Sequence, residues 1–460
     1  MQHNHRRKWP RAGGLEEFCW LVACRAADVA RVEVLRCRGR SEQTEHDCDA
    51  PSVTSHVAIS CAGAAACRKD WVILTEIIML PSQRALFDMP EDVCYLNAAA
   101  VGPLPRAVKA AGEIGVARKA QPWAIEPGNA QRQFERARTA AARLINADPD
   151  DVALISSVSY GIATAGKVLS VPRGSRVLLL QDDHSSPVLE WIGRAEAQGF
   201  IVETVPRPDD GDWTAALLAA IERRGAPPVG MASISSVHWA DGGAVDLDRI
   251  AAALKAHDAR FVIDATHGAG VMNIDVRQLD PDFLVFPTYK WVLGPYGRAF
   301  LYVARRWQYG VPIEQTGAQR RALNSEHAPY MRDIAYVANA RRYDMGERDH
   351  YISLEMASIG MELVADWGRD AIIERLRMLT DRLADGLRNS GILMADPCVR
   401  APHILCLRFP GGMPDDIISR LEAENVFVSP RLGLMRISPH VYNDEADIDR
   451  FVEVFRRVAA

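Results

Sequence analysis

The sequence predicts an α/β fold: a large domain with a mainly parallel sheet flanked by helices, followed by a smaller α+β C-terminal domain. Three observations carry this. Between residues 152 and 303, short apolar runs alternate with helical stretches of ten or so residues, the pattern of βαβ units. After about residue 330 the alternation gives way to long helical stretches, a few strands and a last helix. At 460 residues, 48% apolar and 25% charged, the chain has an ordinary globular composition and room for two or three domains.

The elements follow in order. Tyr95-Leu96-Asn97 and the Gly102-Pro103-Leu104-Pro105 turn imply a short strand and a reversal, then an Ala-rich helix to about Ala120. A helix around Gln131–Ile145 stops at Asn146-Ala147-Asp148-Pro149, a proline-terminated end. Strands are predicted at Val152–Ile155, Val177–Leu180, Phe200–Val205, Met231–Ser235, Phe261–Ile263 and Phe283–Phe286. Helices are predicted at Pro187–Gln198, Trp213–Arg223 and Leu247–His257. The C-terminal part reads as helices Ser353–Trp367 and Ala371–Asn389, strands near His403–Phe409 and a helix Glu445–Val458. The expected domains are 79–330 and 331–460.

Residues 1–78 lack sustained periodicity and are expected to be a non-native or disordered extension, with Met79 opening the natural beginning. Six of the nine cysteines lie before residue 70, with no C-x-x-C pair, so neither a zinc site nor a redox motif is supported. A reduced, cytoplasmic compartment fits the rest. A net charge of −5 implies no polyanion partner, and no basic stripe suggests nucleic acid. No run of eighteen uncharged apolar residues predicts a membrane helix.

The chemistry concentrates at strand ends. The Phe261–Ile263 strand runs into Asp264, with His267 one turn on. The Phe283–Phe286 strand runs into Thr288-Tyr289-Lys290 and the turn Gly294-Pro295-Tyr296-Gly297. An aspartate and a lysine at neighbouring strand ends suit pyridoxal phosphate: the amine holds the aldehyde as a Schiff base, and the carboxylate keeps the ring nitrogen protonated. Alone, the aspartate would read as a helix cap and the lysine as a surface residue. Together with the flanking Thr288 and the glycine turn they favour the cofactor.

This segment resembles the class V aminotransferases, which include cysteine desulfurases, selenocysteine lyases, kynureninases and isopenicillin N epimerase-like proteins. The resemblance covers about residues 79–460. It implies the fold type I arrangement, pyridoxal 5′-phosphate as cofactor, a small amino-acid substrate, and a homodimer with its sites at the subunit interface. Ser157-Val158-Ser159 follows a buried strand and opens a helix, an anion site by its free amides and helix dipole; the resemblance gives Val158 and Ser159 the cofactor phosphate. Thr288 is expected to add a hydroxyl to that phosphate, and Thr316 a contact to the partner subunit's phosphate. His184 matches the histidine that stacks on the ring and moves protons, His267 is expected at the ring 3-oxygen, and His238 near that oxygen. Tyr289 stands where relatives often have histidine. Arg436, in Leu434-Met435-Arg436-Ile437-Ser438, matches the arginine whose planar fork holds a substrate carboxylate, with Asn97 closing the pocket. Arg341–Gly346 also resembles a family stretch, without an evident role.

The desulfurase branch needs a cysteine shortly before that arginine, and residues 426–433 have none; Cys406 reads as a buried core thiol. Lyase, epimerase or transaminase chemistry is therefore expected, with a desulfurase-type C–S lyase as the alternative. A nicotinamide dehydrogenase lacks its G-x-G-x-x-G loop. An idle scaffold would have no need of Lys290, Asp264, His184 and Arg436 together.

Overall fold

Strands predicted from alternating apolar runs become a sheet whose successive side chains face two separate cores. The computed structural model describes residues 79–321 and 334–459; the expectation for residues 1–78 and the boundary placed at 330 lie outside the described residues. The chain begins with β1 (Cys94–Tyr95), α1 (Arg106–Ala120) and α2 (Asn129–Leu144). The large sheet and its crossovers follow as β2 (Val152–Ile155), α3 (Val158–Val168), β3 (Arg176–Leu180), α4 (Ser185–Gln198), β4 (Ile201–Val205), α5 (Trp213–Ile221) and β5 (Val229–Ser235). They continue with α6 (Leu247–Ala256), β6 (Arg260–Asp264), α7 (Val276–Leu279), β7 (Phe283–Pro287) and β8 (Ala299–Val303). The C-terminal part holds α8 (Ser353–Trp367), α9 (Arg369–Gly386), β9 (Leu405–Leu407), α10 (Ile417–Ala423), β10 (Val426–Phe427), β11 (Ser429–Arg431), β12 (Leu434–Ile437) and α11 (Glu445–Ala459).

Seven strands form one sheet in the order β2-β8-β7-β6-β5-β3-β4. Only β8 runs against its neighbours; the other pairs are parallel. Leu178, Leu180, Ile234, Ile263, Leu284 and Phe286 point into a core shared with α2, α5 and α6. The alternate residues Val177, Leu179, Val262, Val285 and Leu301 point into a second core with α3 and α4. A parallel sheet covered on both faces needs this double apolar register. β4, at the edge, is the polar exception; its Glu203 pairs with Arg176 at 2.8 Å. Helix starts are set by side-chain caps: Ser157 on Tyr160 N, Asp212 on Ala215 N and Asp246 on Arg249 N. Such caps satisfy amides that have no carbonyl within the helix.

After β3 the chain moves outward to β4 and returns to the other side of β3 as β5. The loops leaving β3 and β5 therefore part company, and such divergence opens a crevice at the C-terminal ends of parallel strands. The chain's beginning meets its end: β1 pairs with β10 rather than with the large sheet, and Asn97 bridges to Ser438. The stretch 341–346 proves structural. Asp344, buried with Arg138, accepts its guanidinium and the amide of Leu154, and so anchors β2.

Candidate active site

The C-terminal ends of β2, β3, β5, β6 and β7 surround a cavity of about 230 Å³. Ser156–Ser159, His184, Ser235, Trp239, Asp264, His267 and Lys290 all line it. Lys290 follows β7 and is buried, its Nζ 3.2 Å from His267 Nε2. Burial, with Arg436 and Arg431 nearby, pulls its pKa down to about 7, and Asp264 only partly restores it. The amine is thus poised to be neutral and nucleophilic near neutral pH.

His267 owes its state to Trp291, which sequence reasoning passed over. The indole Nε1–H donates to His267 Nδ1 at 3.0 Å. An indole nitrogen only donates, so Nδ1 is the acceptor and the neutral ring is assigned its proton on Nε2, facing Lys290. Burial and the neighbouring cations hold the imidazole pKa well below its ordinary range. Trp291 is itself fixed: His440 Nε2 bonds its carbonyl at 3.0 Å and His403 packs edge-on at 4.4 Å.

Asp264 ends β6 almost fully buried. Its Oδ1 accepts from the Thr266 amide at 2.9 Å and from the Thr266 hydroxyl. Its Oδ2 has no hydrogen-bond donor among the described residues. Burial raises its pKa despite Thr266, His184 and Lys290, and a carboxylate in that position is satisfied by a cationic N–H donor. Asp183, also unflagged by sequence, ties the two divergent loops together. It accepts from Ser235 N and Oγ at 3.1 and 2.7 Å and from the amide of His184 at 2.7 Å. His184 caps α4 at the mouth of the cavity, edge-on to Trp239.

Beside His184, the Val158 and Ser159 amides begin α3, and Ser186 Oγ lies 3.1 Å from Ser159 Oγ and 3.2 Å from His184 Nδ1. The first-turn amides and two hydroxyls form a set of donors for an anion. These features fit pyridoxal phosphate: a neutral-poised amine for the aldehyde, a carboxylate oxygen of Asp264 without a hydrogen-bond donor for the ring nitrogen, and a helix start for the phosphate.

Two expected contacts are not brought to the cavity. His238 is fully buried and stacks on Trp213 at 4.7 Å, with Nε2 on Gln181 O and Nδ1 3.1 Å from Asp241. The ring is held in the core and does not line the cavity, which corrects its placement near the ring 3-oxygen. Thr288 is also fully buried, and its hydroxyl donates to Pro295 O at 2.6 Å. It closes the turn after Lys290 instead of facing a phosphate. Thr316 lies away from the cavity of its own chain, at the start of a short 3-10 turn.

Arg436 and Asn97 sit behind the cavity wall. Arg436 is 1% exposed. It donates to Trp239 O at 2.5 Å and to Ser429 Oγ at 3.4 Å, while its Nε is buried without a partner. No carboxylate among the described residues pairs with it, and burial pulls its pKa down to about 10. A buried guanidinium without a counter-ion is costly by several kcal/mol, a cost that an incoming carboxylate removes. Asn97 Oδ1 is likewise buried and unpartnered. The segment after it docks on the lysine's own peptide, with Gly102 N donating to Tyr289 O at 2.9 Å. A Cβ at Gly102 would stand 2.2 Å from Lys290 O. Gly102→Ala is therefore expected to cost about 1–3 kcal/mol by overpacking and to weaken cofactor retention. Thermal melts and cofactor absorbance check it; an unchanged melting temperature would mean that this contact relaxes freely.

Residues 95–451 match the family model described as aminotransferase class-V. Among curated relatives, a probable cysteine desulfurase of Pyrococcus abyssi is 25% identical over 350 residues, covering 72% of this chain and 84% of its own. The isopenicillin N epimerase of Streptomyces clavuligerus is 25% identical over 378 residues, covering 78% and 94%. A solved cystine C–S lyase, C-DES, in complex with its product cysteine persulfide, superposes with a TM-score of 0.71 at 18% identity, over 80% of this chain and 98% of that one. The chain belongs to the class V aminotransferase family of fold type I enzymes, whose cofactor is pyridoxal 5′-phosphate.

Proposed function

We propose that this enzyme acts on an α-amino acid or a close derivative by lyase, epimerase or transaminase chemistry, without forming a persulfide on the protein. The observation that carries the reading is the pairing of a buried, neutral-poised Lys290 with a buried Arg436 that has no counter-ion and is near enough to depress the lysine's pKa. A Schiff-base lysine near a guanidinium without a counter-ion suits an amino acid.

Bound in the cavity, the cofactor supplies an exchangeable aldehyde and a ring that accepts electrons. Lys290 holds the aldehyde and moves the proton at the substrate α-carbon. Asp264 Oδ2 holds the proton on the ring nitrogen. His267 would serve the ring 3-oxygen through Nε2–H, and His184 would hold the ring and exclude water. Val158 and Ser159 bind the phosphate, with Thr316 contributing to the partner subunit's site. Arg436 binds the α-carboxylate, and Asn97 closes that end. The reading includes a homodimer in the cytoplasm, with Cys94, Cys398 and Cys406 as free thiols.

The stretch before Arg436 supports the absence of a persulfide. It holds no cysteine and folds as β10 and β11. Cys406 Sγ donates to Ala240 O at 3.3 Å, and burial pushes its pKa up to about 12, so it is no nucleophile. The relative named a cystine C–S lyase, with cysteine persulfide as its product, lends support to a C–S lyase as one such outcome. Incubating the purified holoenzyme with a panel of amino acids, identifying the products and mapping persulfides by alkylation and mass spectrometry tests the reading. Amino-acid turnover without protein persulfide is expected. A persulfide on Cys406 would restore the desulfurase alternative, and no reaction with any amino acid would favour a scaffold.

A further inference from the structure

A second guanidinium stands beside the carboxylate clamp. Ser429 pairs with Arg436 and Arg431 with Leu434 across the β11–β12 hairpin. Residues two apart on a strand share a face, so Arg431 and Arg436 project from the same face as diagonal neighbours. Arg431 is half-buried on an edge strand. Its guanidinium donates to its own Pro430 carbonyl and lies 5.9 Å from the centre of the Trp239 ring. No carboxylate among the described residues pairs with it, and burial alone pulls its pKa down.

The two guanidiniums are held at opposite ends of one residue of the cavity wall. Arg436 takes the Trp239 carbonyl and Arg431 lies against its indole. They repel one another, and both act on Lys290. A single α-carboxylate on Arg436 would leave Arg431 uncompensated. An Arg fork near an aromatic face, weakly hydrated and without an acid, is a good receptor for a second planar anion.

We infer that Arg431 is a specificity residue that binds a second acidic group, so that the preferred substrate is an acidic amino acid: its α-carboxylate on Arg436 and its side-chain carboxylate on Arg431. This rests on the amino-acid reading above. It adds a substrate class to that reading without changing the reaction.

Two measurements on the full-length protein test it. The first is calorimetric binding of four- and five-carbon dicarboxylates against their monoamides, which requires no turnover. The second is kcat/KM of the holoenzyme for aspartate and glutamate against asparagine and glutamine. The wild type is expected to favour the diacid at least ~10-fold in both, because an unpaired guanidinium is matched only by the acid. Arg431→Gln should remove most of that preference, and Arg431→Lys, which keeps the charge and loses the fork, should retain part of it. Equal binding of diacid and monoamide by the wild type overturns the inference, as does an undiminished preference in Arg431→Gln. Neutral amino acids reacting as well as acidic ones would remove only this inference. No reaction with amino acids of either kind would remove the function proposed above.

Discussion

Lys290→Ala is expected to lose the covalent, borohydride-reducible link to the cofactor and to reduce turnover by on the order of 10⁴-fold, the upper range for removing a group that moves the reacting proton. The fold should survive, because Lys290 makes a single side-chain hydrogen bond, to His267. A reducible adduct persisting in the variant would place the attachment on another amine. Reduction, proteolysis and mass spectrometry of the labelled peptide decide it.

The same residue gives a pH signature in the apoenzyme. Its folded pKa is about 7, below an ordinary lysine value of 10.5. Below pH 7 the amine is protonated both folded and unfolded, and the folded state bears the whole cost of burying the ammonium. Between about 7 and 10.5 the unfolded chain binds the extra proton, so stability rises with pH, by up to ~1.4 kcal/mol per pH unit. Above 10.5 both states are neutral and the cost is gone. Urea midpoints measured across this window should climb less steeply in Lys290→Ala than in the wild type. Parallel slopes would show that the lysine is charged in the folded protein.

The strands were legible because a doubly covered parallel sheet leaves continuous apolar runs bounded by turns. Val152–Ile155 matches β2 residue for residue, and β3 and β4 differ from expectation by one residue at one end. Asp264, Lys290 and the Ser157 turn were legible because each follows directly on such a run. The C-terminal hairpin was not: Pro430 weakens any strand assignment, and β11 tolerates it because it is an edge strand. His238 and Thr288 look in sequence like exposed site residues. Their partners, Trp213 and the Pro295 carbonyl, are defined only by tertiary packing. For His238, Asp241 three residues on was the one local hint. Trp291 was hidden for the converse reason. An indole beside a lysine reads as core, and its function appears only when His267, twenty-four residues away, arrives at its Nε1.

The other large effect is expected at Asp264. Asp264→Asn keeps size and shape, and its side-chain oxygen can still accept from the Thr266 amide and hydroxyl that now bond Oδ1. What changes is the atom in the place of Oδ2: a charged acceptor becomes an amide NH₂, which only donates. A ring nitrogen facing a donor is held unprotonated, so it can accept a hydrogen bond but can no longer draw electrons from the α-carbon. Removing one partner of a buried charged pair costs about 3–5 kcal/mol, and a loss of that size in the transition state is roughly 10²–10⁴-fold in rate. Asp264→Asn should therefore fold, retain the cofactor on Lys290 and exchange the α-proton of a bound amino acid into deuterated water 10²–10⁴-fold more slowly, on the same arithmetic. Isotope exchange isolates this step from whatever reaction follows, so it applies to lyase, epimerase and transaminase alike. Exchange within a few-fold of the wild type would mean that the ring proton is held by some other group, and that the unpaired Oδ2 of Asp264 has a different partner.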